Sequence, residues 1–172
     1  MKRRDDVRLA PLGLEHAPRM LAWMRDPQVS ANIGLKSEPS AERTTAWIER
    51  ALGDPSIRAF AILLGGEHVG NVVLDQIDER VGAARLSIYV GEPAARGGGV
   101  GRTAVALAAE HAFGAMALHK LWLTVHARNA AAIKSYLDVG FTVEGVLRDE
   151  FVLEGRRLAA LRMGLLAGEL AR

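Results

Sequence analysis

The sequence predicts an α/β fold with a mixed, mostly antiparallel sheet of about seven strands and helices on both faces. Three observations predict it. Apolar segments of strand length recur along the chain, and two of the gaps between them are glycine-containing turns. One later strand is followed by a helix and then another strand, and this order supplies the right-handed crossover that parallel pairing requires. Both antiparallel and parallel pairs are therefore expected.

The composition is that of a soluble globular protein, and we expect a single domain over residues 1–172 because no linker divides the chain. A net charge of only +2 argues against a nucleic-acid partner. The absence of cysteine excludes disulfides, thiolate nucleophiles and cysteine metal ligands. The sequence has no apolar run long enough to span a membrane and no signal segment, so we expect a cytoplasmic protein without a membrane partner.

The first half of the chain mixes helix and strand patterns. Apolar residues at helical spacing predict the first helix, which ends before Pro27. Ser40 suits the N-cap of the next helix and Gly53 its C-terminal end. Gly65 and Gly66 suit a two-residue hairpin turn because both can take positive φ. The predicted elements are a strand over 7–11, a helix over 14–24, an ambiguous stretch over 29–35 compatible with a short helical turn, a helix over 41–52, and strands over 57–64, 69–77 and 83–90.

The second half carries the crossover and the last hairpin. A helix begins after a glycine-rich turn and leads to a strand, and an alanine-rich helix then ends near Gly140. Two strands joined around Glu154 and Gly155 complete the pattern. The predicted elements are a helix from 100 to about 113, a strand over 120–125, a helix over 130–137, and strands over 141–151 and 158–166.

The glycine-rich turn at residues 96–102 joins a strand to a helix. Glycine lets a ligand approach the backbone closely, and the first turn of a helix leaves about four N–H groups unpaired and carries partial positive charge. Together these features predict an anion site for phosphate or pyrophosphate. The spacing fits neither a P-loop nor a Rossmann turn. A flexible loop without a ligand is the alternative.

Two motifs resemble those of the GCN5-related N-acetyltransferases. Arg96-x-x-Gly99-x-Gly101 matches their Q/R-x-x-G-x-G/A motif, and Asn129-x-x-Ala132-x-x-x-Tyr136 matches their second motif. The order of strand, glycine turn, helix, strand and Asn…Tyr helix also resembles theirs. The resemblance implies a sheet that splays between its two central strands, and acetyl-CoA as the cosubstrate.

The resemblance also implies which residues bind acetyl-CoA. Amides at the helix N-terminus would hold the pyrophosphate, and the side chains of Arg96 and Arg102 would neutralise charge nearby. The pantetheine arm would pair with the open edge of the splayed strand as an added strand does. Asn129 would contact the cofactor or serve only as a helix cap. The predicted acetyl-CoA-binding residues are Ile88, Tyr89, Val90, Arg96, Gly97, Gly98, Gly99, Val100, Gly101, Arg102, Thr103 and Asn129.

Tyr136 is the predicted general acid, because a phenol near the sulfur can protonate the CoA thiolate as it leaves. Packing beneath the next strand is the alternative for this residue. Many relatives carry a glutamate base where this chain has the stretch 84–87, and the ribosomal-protein alanine acetyltransferases carry one where it has Thr124. His126 is the predicted base because histidine titrates near neutral pH. Asp75, Glu150 and a chain of water molecules to solvent are the alternatives.

The N-terminal third is expected to select the acceptor amine. The segment around Trp23 and Arg25 resembles the RimJ- and RimL-type ribosomal-protein N-acetyltransferases and the PseH-like enzymes that acetylate nucleotide-linked amino sugars. Trp23, Arg25, Asp75 and Glu150 are the predicted acceptor-binding residues, while Trp23 equally fits a core aromatic on an amphipathic helix.

The expected acceptor is a small amine such as a nucleotide-linked amino sugar, with a protein N-terminus as the alternative, and polyamines and antibiotics stay open. A non-catalytic, acetyl-CoA-binding regulatory module is the alternative from another class of protein. No histidine spacing suggests a metal site. A homodimer is expected because similar proteins are commonly dimers.

Overall fold

The structure is a computed structural model that describes residues 6–33, 35 and 37–171. Its strands are β1 (Val7–Pro11), β2 (Arg58–Leu64), β3 (Glu67–Asp78), β4 (Ala83–Val90), β5 (Lys120–His126), β6 (Thr142–Leu153) and β7 (Arg156–Leu166). Within the described residues they form one sheet in the order β1-β2-β3-β4-β5-β7-β6. The β4–β5 pair is parallel and the other pairs are antiparallel. The predicted mixed, mostly antiparallel sheet is confirmed.

The α-helices of the described chain are α1 (Ala17–Met24), α2 (Pro27–Ile33), α3 (Ala41–Gly53), α4 (Val100–Phe113) and α5 (Ala130–Val139). The helix predicted over 14–24 is split, because Leu14–His16 forms a 3-10 turn and a proline stands in the first turn of α1. Pro27 ends that helical pattern and begins α2. Ser40 caps α3, since its hydroxyl accepts a hydrogen bond from the Arg43 amide at 3.2 Å. Among the described helices, none has the length and apolar character needed to cross a membrane.

Two tight turns join hairpin strands where the sequence predicts them. Gly65 and Gly66 between β2 and β3 have φ of +58° and +85°. Glu154 and Gly155 between β6 and β7 have φ of +49° and +73°. Positive φ at both central residues is the geometry whose twist matches the flanking strands.

Helices cover both faces of the sheet, as predicted. Val72 and Leu74 of β3 are buried with Val105 of α4 in the largest core cluster. On the opposite face, Met20 of α1 and Ile48 of α3 belong to a separate cluster. Because successive strand residues point to opposite faces, the residues of β3 and β4 between the core positions face α1–α3.

The parallel pairing of β4 and β5 is short. It begins at Ala83↔Lys120 and ends at Arg85↔Trp122. Beyond that point β4 stays paired with β3, and β5 stays paired with β7. The two strands therefore splay in the middle of the sheet, as the resemblance implied, and the edge of β4 that faces β5 is open from Leu86 onward.

Candidate active site

A cleft of about 1550 Å³ opens where β4 and β5 separate. One wall, which we call the donor side, comprises residues 96–99, 101, 102, 125, 129, 131, 132, 134–136 and 138. The other wall, the acceptor side, comprises residues 20, 24, 28, 29, 32, 33, 35, 37–39, 43, 44, 47, 71, 73, 75, 85, 87, 89, 124 and 126. The volume exceeds the several hundred Å³ typical of a site for one small molecule, so the cleft has room for two substrates.

The glycine turn has the geometry of an anion site. Gly97 and Gly99 have φ of +76° and +82°, which favours glycine, and Gly99 is the N-cap of α4. The Thr103 amide donates to the Gly99 carbonyl at 3.0 Å. Within the described residues, the amides of 97–102 have no main-chain acceptor. This row of unpaired donors lies at the positive end of the helix dipole.

The space above the turn is open to a ligand. A Cβ atom built on Gly97 or Gly98 meets no atom within 4 Å. Free amides, glycine conformation and open space together fit a diphosphate such as that of acetyl-CoA, as the sequence predicts.

The predicted strand-edge residues Ile88, Tyr89 and Val90 all line the cleft. Ile88 and Val90 pack against a core cluster on the α4 face. The Tyr89 side chain faces the acceptor side, where its hydroxyl accepts a hydrogen bond from Asn71 Nδ2 at 3.0 Å. The main chain of β4, rather than these side chains, is therefore the part available to an extended ligand.

The Arg96 side chain does not point its charge at the glycine turn. Its Nε donates to the Val90 carbonyl at 2.9 Å, and Nη2 donates to the Gly91 carbonyl at 2.7 Å. Nη1 donates to Gln28 Oε1 at 2.8 Å, and Nη2 also meets Asp26 Oδ2 at 3.2 Å. These contacts give no support to the predicted cofactor role. Arg96 instead ties the end of β4 to the α1–α2 turn. A hydrogen bond from the Gln28 amide, and then the contact with Arg96, lower the pKa of Asp26.

Two of the predicted acetyl-CoA-binding residues, Val100 and Thr103, do not line the cleft. Val100 is buried in the core cluster beneath the turn. The Thr103 hydroxyl donates to the Gly99 carbonyl at 3.1 Å, so it stabilises the first turn of α4. Their main-chain amides point toward the N-terminal end of α4. The Thr103 amide already donates to Gly99, so of the two only the Val100 amide is available to a ligand.

Arg102 and Asn129 both line the donor side. The Arg102 guanidinium meets Asp138 of α5 at 3.2 Å. Asn129 is the N-cap of α5, because its Oδ1 accepts from the Ala132 amide at 3.2 Å. Asn129 therefore fits the alternative role of a helix cap. Because the Arg96 guanidinium is bonded elsewhere, Arg102 is the predicted arginine that remains near the glycine turn.

Tyr136 lines the donor side from α5 and is mostly buried beside Phe141, with ring centroids 5.8 Å apart. Burial raises the pKa of its phenol to about 12. Among the described residues, no hydrogen bond of its hydroxyl is found, and burial is the sole cause of this pKa shift. It therefore keeps its proton at neutral pH and can give that proton to a group in the cleft.

His126 ends β5 and is buried, whereas the sequence placed it just past the strand. Its Nε2 lies 3.2 Å from Asn32 Oδ1, which can only accept, so Nε2 carries the proton. Its Nδ1 is then the basic nitrogen, and this atom is buried without a partner among the described residues. Burial, and then the charge of Arg128, lower the pKa of His126. This geometry suits a link between β5 and α2 better than the predicted base.

Asp75 lies on the acceptor side opposite Arg85, its register partner on β4. Arg85 Nε donates to Asp75 Oδ1 at 2.7 Å and Nη2 donates to Oδ2 at 2.6 Å, which is a two-pronged ion pair. The hydrogen bonds that Arg85 donates to Asp75 raise the pKa of the guanidinium further.

Glu150 lines the edge of the cleft from β6, next to a bulge where Asp149 has φ of +53°. Its side chain is exposed. The bulge turns this part of β6 toward the cleft mouth.

Trp23 and Arg25 do not line the cleft. Trp23 is buried at 7% exposure, and its ring packs against His68 with centroids 4.8 Å apart. A Cβ added to Gly91 would lie 2.1 Å from the Trp23 ring, so the position directly after β4 needs glycine. Arg25 is exposed. The predicted acceptor contacts are not supported for either residue, and Trp23 is a core aromatic.

The sequence did not reveal the polar groups of the acceptor side. In the sequence, Arg85 falls in the stretch 84–87 that departs from a family pattern, and no local pattern marks Asn32 or Arg43 as site residues. Asn71 is 1% exposed and links His68 Nε2, at 2.6 Å, to the Tyr89 hydroxyl. The period-two spacing of residues 71, 73 and 75 on β3 is the signal that would have placed them on one face.

Comparisons with known proteins agree with this site. Residues 6–142 match the family model described as an acetyltransferase (GNAT) domain. The chain is 31% identical over 160 residues to the spermidine N(1)-acetyltransferase of Escherichia coli K12, covering 93% of this chain and 80% of the relative. It is 34% identical over 98 residues to the enzyme of that name from Vibrio cholerae, covering 57% and 56%.

Solved structures show the same fold. A crystal structure of the Vibrio cholerae spermidine N-acetyltransferase in complex with CoA and spermine superposes with a TM-score of 0.90 at 23% identity, over 96% of this chain and 98% of that one. The chain therefore belongs to the acetyltransferase (GNAT) family. It is an acetyl-CoA-dependent N-acetyltransferase, and its reported relatives are not of the RimJ, RimL or PseH subgroups that the sequence suggested.

Proposed function

We propose that this enzyme acetylates a primary amine of a small alkyl amine, the class that includes the spermidine of its curated relatives. The observation that carries the proposal is the position of Tyr136 and the glycine-turn amides on one wall of a cleft whose other wall is free for an acceptor. The reported relatives give no support to a protein N-terminus as acceptor. A nucleotide-linked amino sugar stays within the proposed class of small amines.

The proposed chemistry is direct attack in a ternary complex. The amine nitrogen bonds to the acetyl carbon, and the bond between that carbon and sulfur breaks. Tyr136 gives its proton to the leaving thiolate, and its raised pKa keeps the phenol protonated until then. We assign the main-chain amides near Val90 to the developing charge on the carbonyl oxygen. Without cysteine, no cysteinyl acyl-enzyme forms.

Solvent water is the proposed acceptor of the proton that the amine loses. Asp75 already receives two hydrogen bonds from Arg85. The free nitrogen of His126 is shut off from solvent. Glu150 is exposed at the cleft edge and is the remaining predicted carboxylate. Proton loss through water at this edge therefore fits the arrangement better than a buried base.

An acceptor screen that reads CoA release, with products identified by mass, tests the proposal. The panel contains spermidine, diamines, amino acids, a nucleotide-linked amino sugar and a peptide with a free N-terminus. We expect acetylation of small alkyl amines and none of the peptide. Acetyl-CoA binding without turnover on any amine would contradict the proposal and favour the non-catalytic module. The cytoplasmic location and the homodimer stay predictions.

A further inference from the structure

The ion pair of Arg85 and Asp75 lies on the β3–β4 face that lines the acceptor side. Arg85 is the more exposed partner, with 36% of its side chain accessible against 21% for Asp75. Its Nε and one hydrogen of Nη2 are used by Asp75. Within the described residues Nη1 has no acceptor, so the guanidinium keeps three N–H donors. Both carboxylate oxygens of Asp75, by contrast, already accept a charged hydrogen bond.

The charges of the acceptor side are close to balanced. Its carboxylates and guanidiniums among the described residues are Glu38, Arg43, Asp75 and Arg85, and the exposed carboxylate of Glu150 lies at the cleft edge. Arg43 Nη1 donates to the main-chain carbonyl of Glu38 at 2.8 Å, so it does not neutralise that carboxylate directly. Since both oxygens of Asp75 are bonded to Arg85, the remaining groups are hydrogen-bond donors of Arg85 and Arg43 and the carboxylates of Glu38 and Glu150. A site for several ammonium groups needs an excess of carboxylates.

The two guanidiniums come from different elements, β4 and α3, and line the same wall. A planar guanidinium with free donors binds carboxylate or phosphate in preference to other groups. The hydrogen bonds from Arg85 also hold Asp75 in place, so an acceptor that displaced Asp75 would leave a carboxylate unpaired.

We infer that Arg85 selects acceptors that carry an anionic group, a carboxylate or a phosphate, near the amine that is acetylated. This inference rests on the proposed function, because it narrows the class of small alkyl amines. The anionic group takes the free donors of Arg85, and the amine points toward the open edge of β4. The enzyme thus differs from the spermidine acetyltransferases to which it is similar.

Matched acceptor pairs test this selection. Ornithine differs from 1,4-diaminobutane, and lysine from 1,5-diaminopentane, only by a carboxylate, while phosphoethanolamine differs from ethanolamine by a phosphate. We expect the anionic member to have a kcat/KM at least about tenfold higher, either in both carboxylate pairs or in the phosphate pair. A hydrogen bond to a charged group contributes enough binding energy for such a ratio. Preference within the carboxylate pairs identifies an amino acid, and preference within the phosphate pair identifies a phosphorylated amine.

Three variants assign the preference to Arg85. Arg85→Gln is expected to lower the preference about tenfold without changing the KM for acetyl-CoA, because it leaves Asp75 free to attract an ammonium. Arg85→Lys keeps the charge and is expected to retain part of the preference. Arg80→Gln makes the same change in an exposed turn outside the cleft and is expected to change nothing.

A wild-type enzyme that acetylates the plain diamines as well as their anionic partners would overturn the inference while the proposed function stands. The inference is also overturned if Arg85→Gln, like the control Arg80→Gln, leaves the preference for anionic acceptors as it is in the wild type. If neither member of any pair, nor spermidine, is acetylated, the proposed function itself fails and the inference fails with it.

Discussion

The donor side of the cleft is built from main-chain groups, whereas the acceptor side is built from side chains. On the donor side, the amides of 97–102 come from one continuous turn, and their geometry follows from glycine and from the start of α4. On the acceptor side, Arg43, Asp75 and Arg85 come from three separate elements. A main-chain site tolerates changes in the side chains around it, while a side-chain site changes its ligand with a single substitution. Relatives can therefore share the donor and differ in the acceptor.

The Arg96 side chain joins the two sides. It holds Asp26 and Gln28, which lead into α2 on the acceptor side, against the end of β4. Side chains 68 and 70 residues away in sequence thus meet on one guanidinium. The two regions differ in construction but share this one support.

The largest expected effect comes from placing a charge on the donor side alone. Gly98→Asp should weaken acetyl-CoA binding more than about a hundredfold in calorimetry, because like charges in contact cost several kcal/mol. Gly98 is not among the glycines with positive φ, and a Cβ there meets nothing, so the change itself is unstrained. An acid at a helix N-terminus also tends to stabilise the fold.

Gly98→Asn is the matched control, since it has the same shape without the charge. We expect a loss of about tenfold or less from it, because a neutral side chain adds no like-charge contact. Equal affinities for the two variants would mean that no diphosphate lies over the turn.

The next effect separates binding from chemistry on the donor side. Tyr136→Phe should lower kcat about a hundredfold, the usual contribution of a positioned general acid. The dissociation constant for acetyl-CoA should stay within about twofold, because the amides that bind it are untouched. Stopped-flow measurement of CoA release gives the first quantity and calorimetry the second. Unchanged turnover with a good acceptor would remove Tyr136 from the mechanism.

Arg96→Gln should weaken both sides at once. Loss of its hydrogen bonds to Val90 and Gly91 should cost about 1–3 kcal/mol of unfolding free energy, since these carbonyls lose a charged donor. The KM values for acetyl-CoA and for the acceptor should both rise. Arg102→Gln, which removes one partly exposed ion pair, should cost less than about 1 kcal/mol. A rise in only one KM would show that Arg96 does not link the two regions.

The smallest effect concerns the buried hydrogen-bonded chain of His68, Asn71 and Tyr89 behind the acceptor side. Burial is the main cause that lowers the pKa of His68 from its ordinary 6.5, so the folded protein favours the neutral ring. Below pH 6.5 the unfolded chain binds more protons than the folded one, and stability falls as the pH drops. Urea unfolding should show a lower stability at about pH 5.5 than at about pH 7.5, and His68→Gln should reduce this difference.

His119→Gln is the control for this measurement, because that side chain is exposed. It should leave the pH dependence of unfolding as in the wild type. A wild-type protein that is equally stable at both pH values would contradict the assignment of a neutral, buried His68.

The sequence predicted the donor side more fully than the acceptor side for a physical reason. Local sequence patterns predict the conformation of the glycines, the start of α4 and the position of Tyr136 on α5, because each depends on neighbouring residues. The Asp75–Arg85 pair depends on the register of β3 and β4, which shifts between Asp75 and Asp78, where Gln76 takes a φ of +48°. A shift of one residue reverses which side chains face the cleft.

The other site predictions that the structure does not support have the same origin. The contact of His126 with Asn32 joins residues 94 apart, and no local pattern reports it. Trp23 fitted both a pocket and a core position on its helix, and only the packing of α1 on Gly91 separates these alternatives. Arg96 matched the family motif correctly, yet its side chain is used for structure.

We propose that the amides of the glycine turn hold the donor, and an NMR titration of the ¹⁵N-labelled protein with acetyl-CoA provides the test. Hydrogen bonds to a diphosphate should move the amide protons of residues 97–102 downfield more than any others, and the shifts should saturate together. Gly98→Asp should abolish these shifts while the rest of the spectrum stays that of a folded protein. Saturable binding that leaves the amides of 97–102 unmoved would contradict the account.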